Sequence, residues 1–148
     1  MTMTAPDPTD LQSFDSNEFA IVFPDGLVGC QDWKRFILTA DEEDEEQRCA
    51  VLQSLDDPNV SLMVTDPRHL EPSFRAPLSA EDYADLGLTS DQQPMLFCTL
   101  SSGDGWLTAN LLGPLVLNPI TRVAKQVVLL DSRYTTRYPV APLNPSGA

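Results

Sequence analysis

Apolar residues along this chain come in short runs that end at proline, glycine or aspartate, with the length and alternation of strands rather than helices. Phe19 to Phe23 reads FAIVF and stops at Pro24. Pro24-Asp25-Gly26 is turn chemistry, because proline presets φ and glycine accepts positive φ. Gly29 supplies a second bend. Lys34 to Thr39 forms the next strand, with Phe36 and Leu38 on one face. Cys49 to Ser54 and Val60 to Val64 read as a hairpin across Asp56-Asp57-Pro58, with Val60, Leu62 and Val64 inward and Ser61 and Met63 outward. Met95 to Leu100 and Trp106 to Leu111 flank Ser102-Gly103-Asp104-Gly105, a hairpin signal whose type I′ turn needs positive φ at both central positions. Leu115 to Leu117 and Val123 to Leu130 complete the set. The stretch from Trp106 to Tyr138 has the highest apolar content and forms the centre of the expected core.

Between Asp66-Pro67 and Met95 the pattern changes. Pro67, Pro72 and Pro77 predict irregular chain, interrupted by one helix. Ser79-Ala80-Glu81-Asp82 resembles a capping box, Tyr83 and Leu86 give the helix an apolar side, and Gly87 ends it. Eight short strands with one short helix predict a mainly β fold. The architecture expected is a small antiparallel β-barrel-like single domain, because closure removes exposed edges. Its expected bounds are 18–140, with a disordered tail over 1–17 and a flexible one over 141–148.

Composition narrows the function. A chain of 148 residues buries roughly 70% of its unfolded surface, so a core is possible without disulfides or metal. Nine basic against 22 acidic side chains give a net charge of −13. Part of that excess is one block, Asp41 to Glu46, which reads as an exposed loop of like charges. This balance repels nucleic acid and anionic membranes and attracts a basic protein surface. The first residues lack the basic start and apolar run of a signal peptide, and no stretch approaches the ~20 apolar residues of a membrane span. The expectation is a cytoplasmic protein, monomeric when free.

Catalytic and metal templates fail in turn. There is no G-x-S-x-G, no phosphate-binding glycine pattern, and a single histidine, His69, in a proline-rich segment. The three cysteines, Cys30, Cys49 and Cys98, lack metal-ligand spacing. The acidic block lacks the glycine and final glutamate of a calcium loop. Asp56 and Asp57, beside Pro58, read as turn residues rather than an acid–base pair. No cofactor, metal or catalytic residue is expected. Asn110, Asn118 and Gln126 stand among apolar strands, where amides either satisfy turn and barrel-end backbone groups or face a partner.

Taken in order, these segments resemble the bacterial flagellar assembly factor FliW family. The resemblance rests on Phe23-Pro24-Asp25-Gly26-Leu27-Val28-Gly29, Phe36-Ile37-Leu38, Leu52 to Pro58, Asp66-Pro67, Asn110-Leu111-Leu112-Gly113-Pro114 with Asn118, Gln126 to Leu129, and Tyr134-x-x-Arg137. It covers about Glu18 to Val140. Cys30 stands where the family usually has an aromatic, and the acidic block and N-terminal tail are longer than the pattern. The resemblance implies a non-enzymatic regulator with two protein partners, flagellin and the RNA-binding translational repressor CsrA. The family sequesters CsrA so that flagellin mRNA can be translated. RNA mimicry and binding beside the RNA site are both open, and the resemblance favours the second.

The residues expected to contact a basic partner are Asp56, Asp57, Asp66 and Asp104, acids near strand ends, followed by Asn110 and Gln126. The alternative reading is a small-molecule-binding or enzymatic β-barrel, which would need a deep cavity with converging polar groups.

Overall fold

The computed structural model describes residues 20–40, 49–130 and 133–143. The expected N-terminal tail, the Asp41 to Glu46 block and the last five residues lie outside them. The described chain forms β1 (Ile21–Val22), β2 (Arg35–Ala40), β3 (Cys49–Ser54), β4 (Ser61–Thr65), α1 (Pro67–Leu70), α2 (Ala80–Leu86), β5 (Met95–Gly103), β6 (Trp106–Ala109), β7 (Leu115–Leu117), β8 (Ala124–Gln126) and β9 (Tyr138–Pro142). The strands form one 9-stranded sheet with neighbours paired antiparallel in the order β1-β2-β3-β4-β5-β6-β9. β7 pairs with β5 and β8, and a parallel bridge between Val22 and Val123 brings β8 back to β1. The ring β1-β2-β3-β4-β5-β7-β8 is thus a nearly closed barrel.

The long strand β5 makes the sheet fork. Its first part, Met95 to Phe97, pairs with β7, and its last part, Leu100 to Gly103, pairs with β6. β6 and β7 are therefore one line of chain interrupted at Asn110–Pro114. One apolar cluster fills the barrel, with Phe23, Phe36, Leu52, Val64 and Leu115 buried in it. A second cluster, around Phe74, Leu86, Cys98, Leu111, Val116 and Val127, lies on the other face of the sheet under α2.

Local signals account for most elements. The β3–β4 hairpin pairs Leu52 with Leu62 and Val51 with Met63. The β5–β6 turn has φ 54° at Asp104 and 80° at Gly105, as the type I′ turn requires. Ser79 Oγ accepts from Asp82 N–H and the Asp82 carboxylate accepts from Ser79 N–H, which closes the capping box of α2; Gly87 ends it at φ 68°.

Four expectations are corrected. Among the described residues there are two helices rather than one: Asp66 caps α1 by accepting from Arg68 N–H, and Pro67 fits its first turn, where no N–H is needed. The described strands number nine rather than eight, because the proline-bearing segment Tyr138–Pro142 adds β9 along β6. β6 ends at Ala109 rather than Leu111, where Asn110 turns the chain. β8 stops at Gln126 rather than Leu130, because the facing chain at Leu112 and Pro114 cannot return the strand hydrogen bonds.

Candidate partner-binding surface

The four acids singled out from the sequence are each engaged within the fold. The Asp56 carboxylate accepts from Arg35 N–H and Nε at 3.0 Å and pairs with its terminal nitrogen at 2.9 Å, tying the β3–β4 turn to the start of β2. The side-chain hydrogen bond from Arg35, then that from its backbone, holds this carboxyl below the usual range. Asp57 accepts from Asn59 N–H inside the same turn. Asp66 caps α1 and pairs with Arg68 at 3.0 Å. Burial pushes its carboxyl up, and the Arg68 bonds outweigh that and hold it down. Asp104 pairs with Arg137 at 2.9 Å and its side chain stays 85% exposed. The acids lie on separate connections, and only Asp56 and Asp57 are neighbours.

The two amides converge instead. Asn110 Oδ1 accepts from Leu112 N–H at 3.1 Å and Gly113 N–H at 2.9 Å. Gln126 Nε2 donates to the Gly113 carbonyl at 2.9 Å, and its Oε1 accepts from Val28 N–H at 2.8 Å. Gly113 lies between them so closely that a Cβ there would sit 2.8 Å from Gln126 Nε2 and 3.2 Å from Asn110 Nδ2. These amides fix backbone: Asn110 forms the fork, and Gln126 clamps the Val28 loop to it. This also explains the end of β8. Val127 and Leu129 donate to the Pro114 and Leu112 carbonyls, but Pro114 has no N–H to return and Leu112 N–H is taken by Asn110.

Asn118 is 1% exposed and does similar work. Its Nδ2 donates to the Leu86 carbonyl at 2.9 Å, and its Oδ1 accepts from Ile120 N–H at 2.9 Å, joining the end of α2 to the β7–β8 turn. Lys125 holds α2 from the other side, 2.8 Å from both Asp82 and Asp85. Burial raises the Asp82 carboxyl, but the Lys125 and Ser79 hydrogen bonds outweigh it and leave it below its ordinary value. A depressed carboxyl stabilises the fold above its unfolded pKa and loses that contribution as pH falls through the folded one. Stability should therefore drop on acidification below about pH 4. Lys125→Met should cost about 1 kcal/mol at neutral pH and make the acid-induced drop shallower, read from urea midpoints across pH.

The clamp presents an apolar surface. Val28 is 66% exposed beside Gln126, and Val128 and Leu130 are 55% and 99% exposed on alternate positions, while Val127 and Leu129 are buried between them. Sequence reasoning missed this stripe by treating Val127 to Leu130 as one apolar run; the only available signal was its alternation with Gln126. A cleft of about 160 Å³ adjoins it, lined by Asp25, Leu27, Val28, Lys125 and Gln126. Another of about 360 Å³ lies under Trp106, Arg137 and Pro139. Among the described residues no group of His, Cys, Asp or Glu could hold a metal ion. His69 is exposed in the last turn of α1. Burial, with smaller contributions from Asp66 and Cys49, pushes the Cys98 thiol up to about 12, which leaves it unreactive.

Comparison with known proteins gives the surface a context. The FliW protein family model matches residues 9–140. The flagellar assembly factor FliW of Geotalea uraniireducens is 35% identical over 121 residues, 80% of this chain and 72% of that protein. Its counterpart in Geobacter sulfurreducens is 34% identical over 121 residues, covering 80% and 74%. A crystal structure of the flagellar assembly factor FliW superimposes with a TM-score of 0.77 at 26% identity, covering 87% of this chain and 90% of that one.

Proposed function

Because this chain belongs to the FliW family of flagellar assembly factors, we propose that it acts in flagellum assembly as a non-enzymatic partner-switching regulator. Its partners in this reading are the translational repressor CsrA and flagellin. Binding CsrA relieves repression of flagellin mRNA, and binding flagellin occupies the regulator until export frees it. The observation that carries the reading is the family match across nearly the whole domain. The surface is consistent with it: an exposed apolar stripe beside Gln126, on a chain of net charge −13. A filled barrel interior, with Phe23, Phe36 and Leu52 packed in it, counts against the small-molecule alternative. The reading is of a cytoplasmic protein; among the described residues no helix is long and apolar enough to cross a membrane.

The acidic excess steers the protein towards a partner whose basic residues serve RNA phosphates. Asp104 is the contact of choice among the acids, since its carboxylate is largely exposed. Asp56, Asp57 and Asp66 contribute chiefly through their long-range field, and Asn110 and Gln126 by shaping the surface.

Titration of the purified protein with its cognate flagellin and CsrA tests this. Binding to both in the micromolar range or tighter is expected; binding to neither at low salt would sink the reading. CsrA affinity should fall with added salt. Asp104→Asn keeps a residue tolerated at positive φ while removing the charge. It should weaken CsrA binding about two- to fivefold at low salt and have no effect at high salt. A salt-independent loss would instead point to altered folding.

A further inference from the structure

Beyond Gln126 the chain keeps the register of the β7–β8 pair, with Val127 N–H on the Pro114 carbonyl at 3.0 Å and Leu129 N–H on the Leu112 carbonyl at 2.8 Å. Backbone groups of alternate residues in such a strand point to opposite edges. Those of Val128 and Leu130 therefore point away from β7, and among the described residues neither makes a backbone hydrogen bond. Among the described residues the barrel closes on this side only through the Val22–Val123 bridge, and from Gln126 onward no described strand pairs with this edge.

An open edge is a template for another strand, and proteins ordinarily blunt it with proline, charge or a covering element. The β9 edge carries Pro139 and Pro142. The Gln126 to Leu130 stretch carries neither proline nor charge, and it adds exposed Val128 and Leu130 at alternate positions with exposed Val28 clamped alongside. Unpaired backbone groups and alternating apolar side chains on one edge are the two requirements of strand addition, the first for affinity and the second for specificity.

We propose that Gln126 to Leu130 is a strand-addition site and that its occupant is an extended segment of flagellin with apolar residues at every second position. This rests on the two-partner reading above and assigns one of the two partners a surface. The choice follows from chemistry. A subunit destined for a filament carries apolar assembly surface that is uncovered until it assembles. CsrA offers basic groups, which need carboxylates, and the strand Gln126 to Leu130 itself carries none. A second copy of this chain would bring another net charge of −13 against the first.

Val128→Pro removes an N–H that no described group uses, and the extended residue before it tolerates a following proline. Leu130→Asp removes the apolar contact at a side chain that is already exposed. Ile120→Asp, on the β7–β8 turn away from the edge, is the control. Both edge variants should lose about tenfold or more in flagellin affinity while the control loses none, and CsrA affinity should be unchanged in all three. By amide exchange in NMR spectra, Val128 and Leu130 should exchange fast in the free protein and about tenfold or more slowly in the flagellin complex. Unchanged flagellin affinity in both edge variants would overturn the assignment, as would an equal loss of CsrA binding. A free wild-type dimer that Val128→Pro dissociates would give the edge to a second copy. A wild-type protein that binds no flagellin defeats the underlying reading instead, a result distinct from one that binds flagellin but ignores the edge.

Discussion

Gly26→Ala is expected to lower the free energy of unfolding by about 3 kcal/mol, through two separate causes. Gly26 has φ 70°, a conformation that costs an L residue roughly 1–2 kcal/mol. A Cβ there would also lie 2.3 Å from the Gln31 carbonyl oxygen, a backbone atom that moves only with its loop. Forced displacement of packed atoms typically adds about 1–3 kcal/mol. Gly29 separates the two causes: its φ is 82°, but no atom lies within 4 Å of its Cβ position. Gly29→Ala should cost only about 1 kcal/mol. Urea unfolding of both variants checks this, and equal losses would show that the Gln31 contact relaxes freely. Loss of the Gly26 turn reaches the candidate partner surface as well, because the same loop buries Leu27 in the barrel and positions Val28 against Gln126.

Asn118→Ala should be about as damaging, at roughly 3 kcal/mol. The substitution leaves the Leu86 carbonyl and the Ile120 N–H without their side-chain partner, where Asn118 is 1% exposed. The buried Leu86 carbonyl left unsatisfied costs about 1–3 kcal/mol, and the part-buried Ile120 N–H adds a smaller cost. The loss should appear in the urea midpoint and in faster amide exchange at the end of α2, which Asn118 joins to the β7–β8 turn. A loss below about 1 kcal/mol would mean that water replaces the amide without penalty.

What could be read from the sequence was set by how local its cause is. The capping box at Ser79 and the alternation in Ser61 to Val64 each depend on a few adjacent residues and appear where expected, while the equally local type I′ turn centres on Asp104-Gly105, one residue past the centre of the expected Ser102 to Gly105 turn. α1 was also locally encoded, by Asp66 before Pro67, but its four residues bury too little to show a period. β9 carries two prolines in five residues and becomes a strand only because β6 offers an edge to it. The end of β8 depends on Leu112 N–H being taken by Asn110, a choice made elsewhere in the chain.

The same distinction governs the site. Asp56 with Arg35, Asp104 with Arg137 and Asp82 with Lys125 are separated by 21, 33 and 43 residues, so no spacing rule could show that these acids were already paired. Likewise, Gln126 and Val28 are 98 residues apart. Sequence marked Asn110 and Gln126 as odd amides in apolar surroundings; only the fold shows them meeting across Gly113 and leaving Val128 and Leu130 uncovered.

In the proposed partner switch this chain holds one partner at the expense of the other. Its most direct test is the affinity for CsrA measured with and without saturating flagellin. Partner switching predicts that flagellin weakens CsrA binding by about fivefold or more, the lower end of ordinary coupling between sites. The reciprocal titration should show the same factor. An unchanged CsrA affinity, with flagellin bound in the same complex, would contradict it.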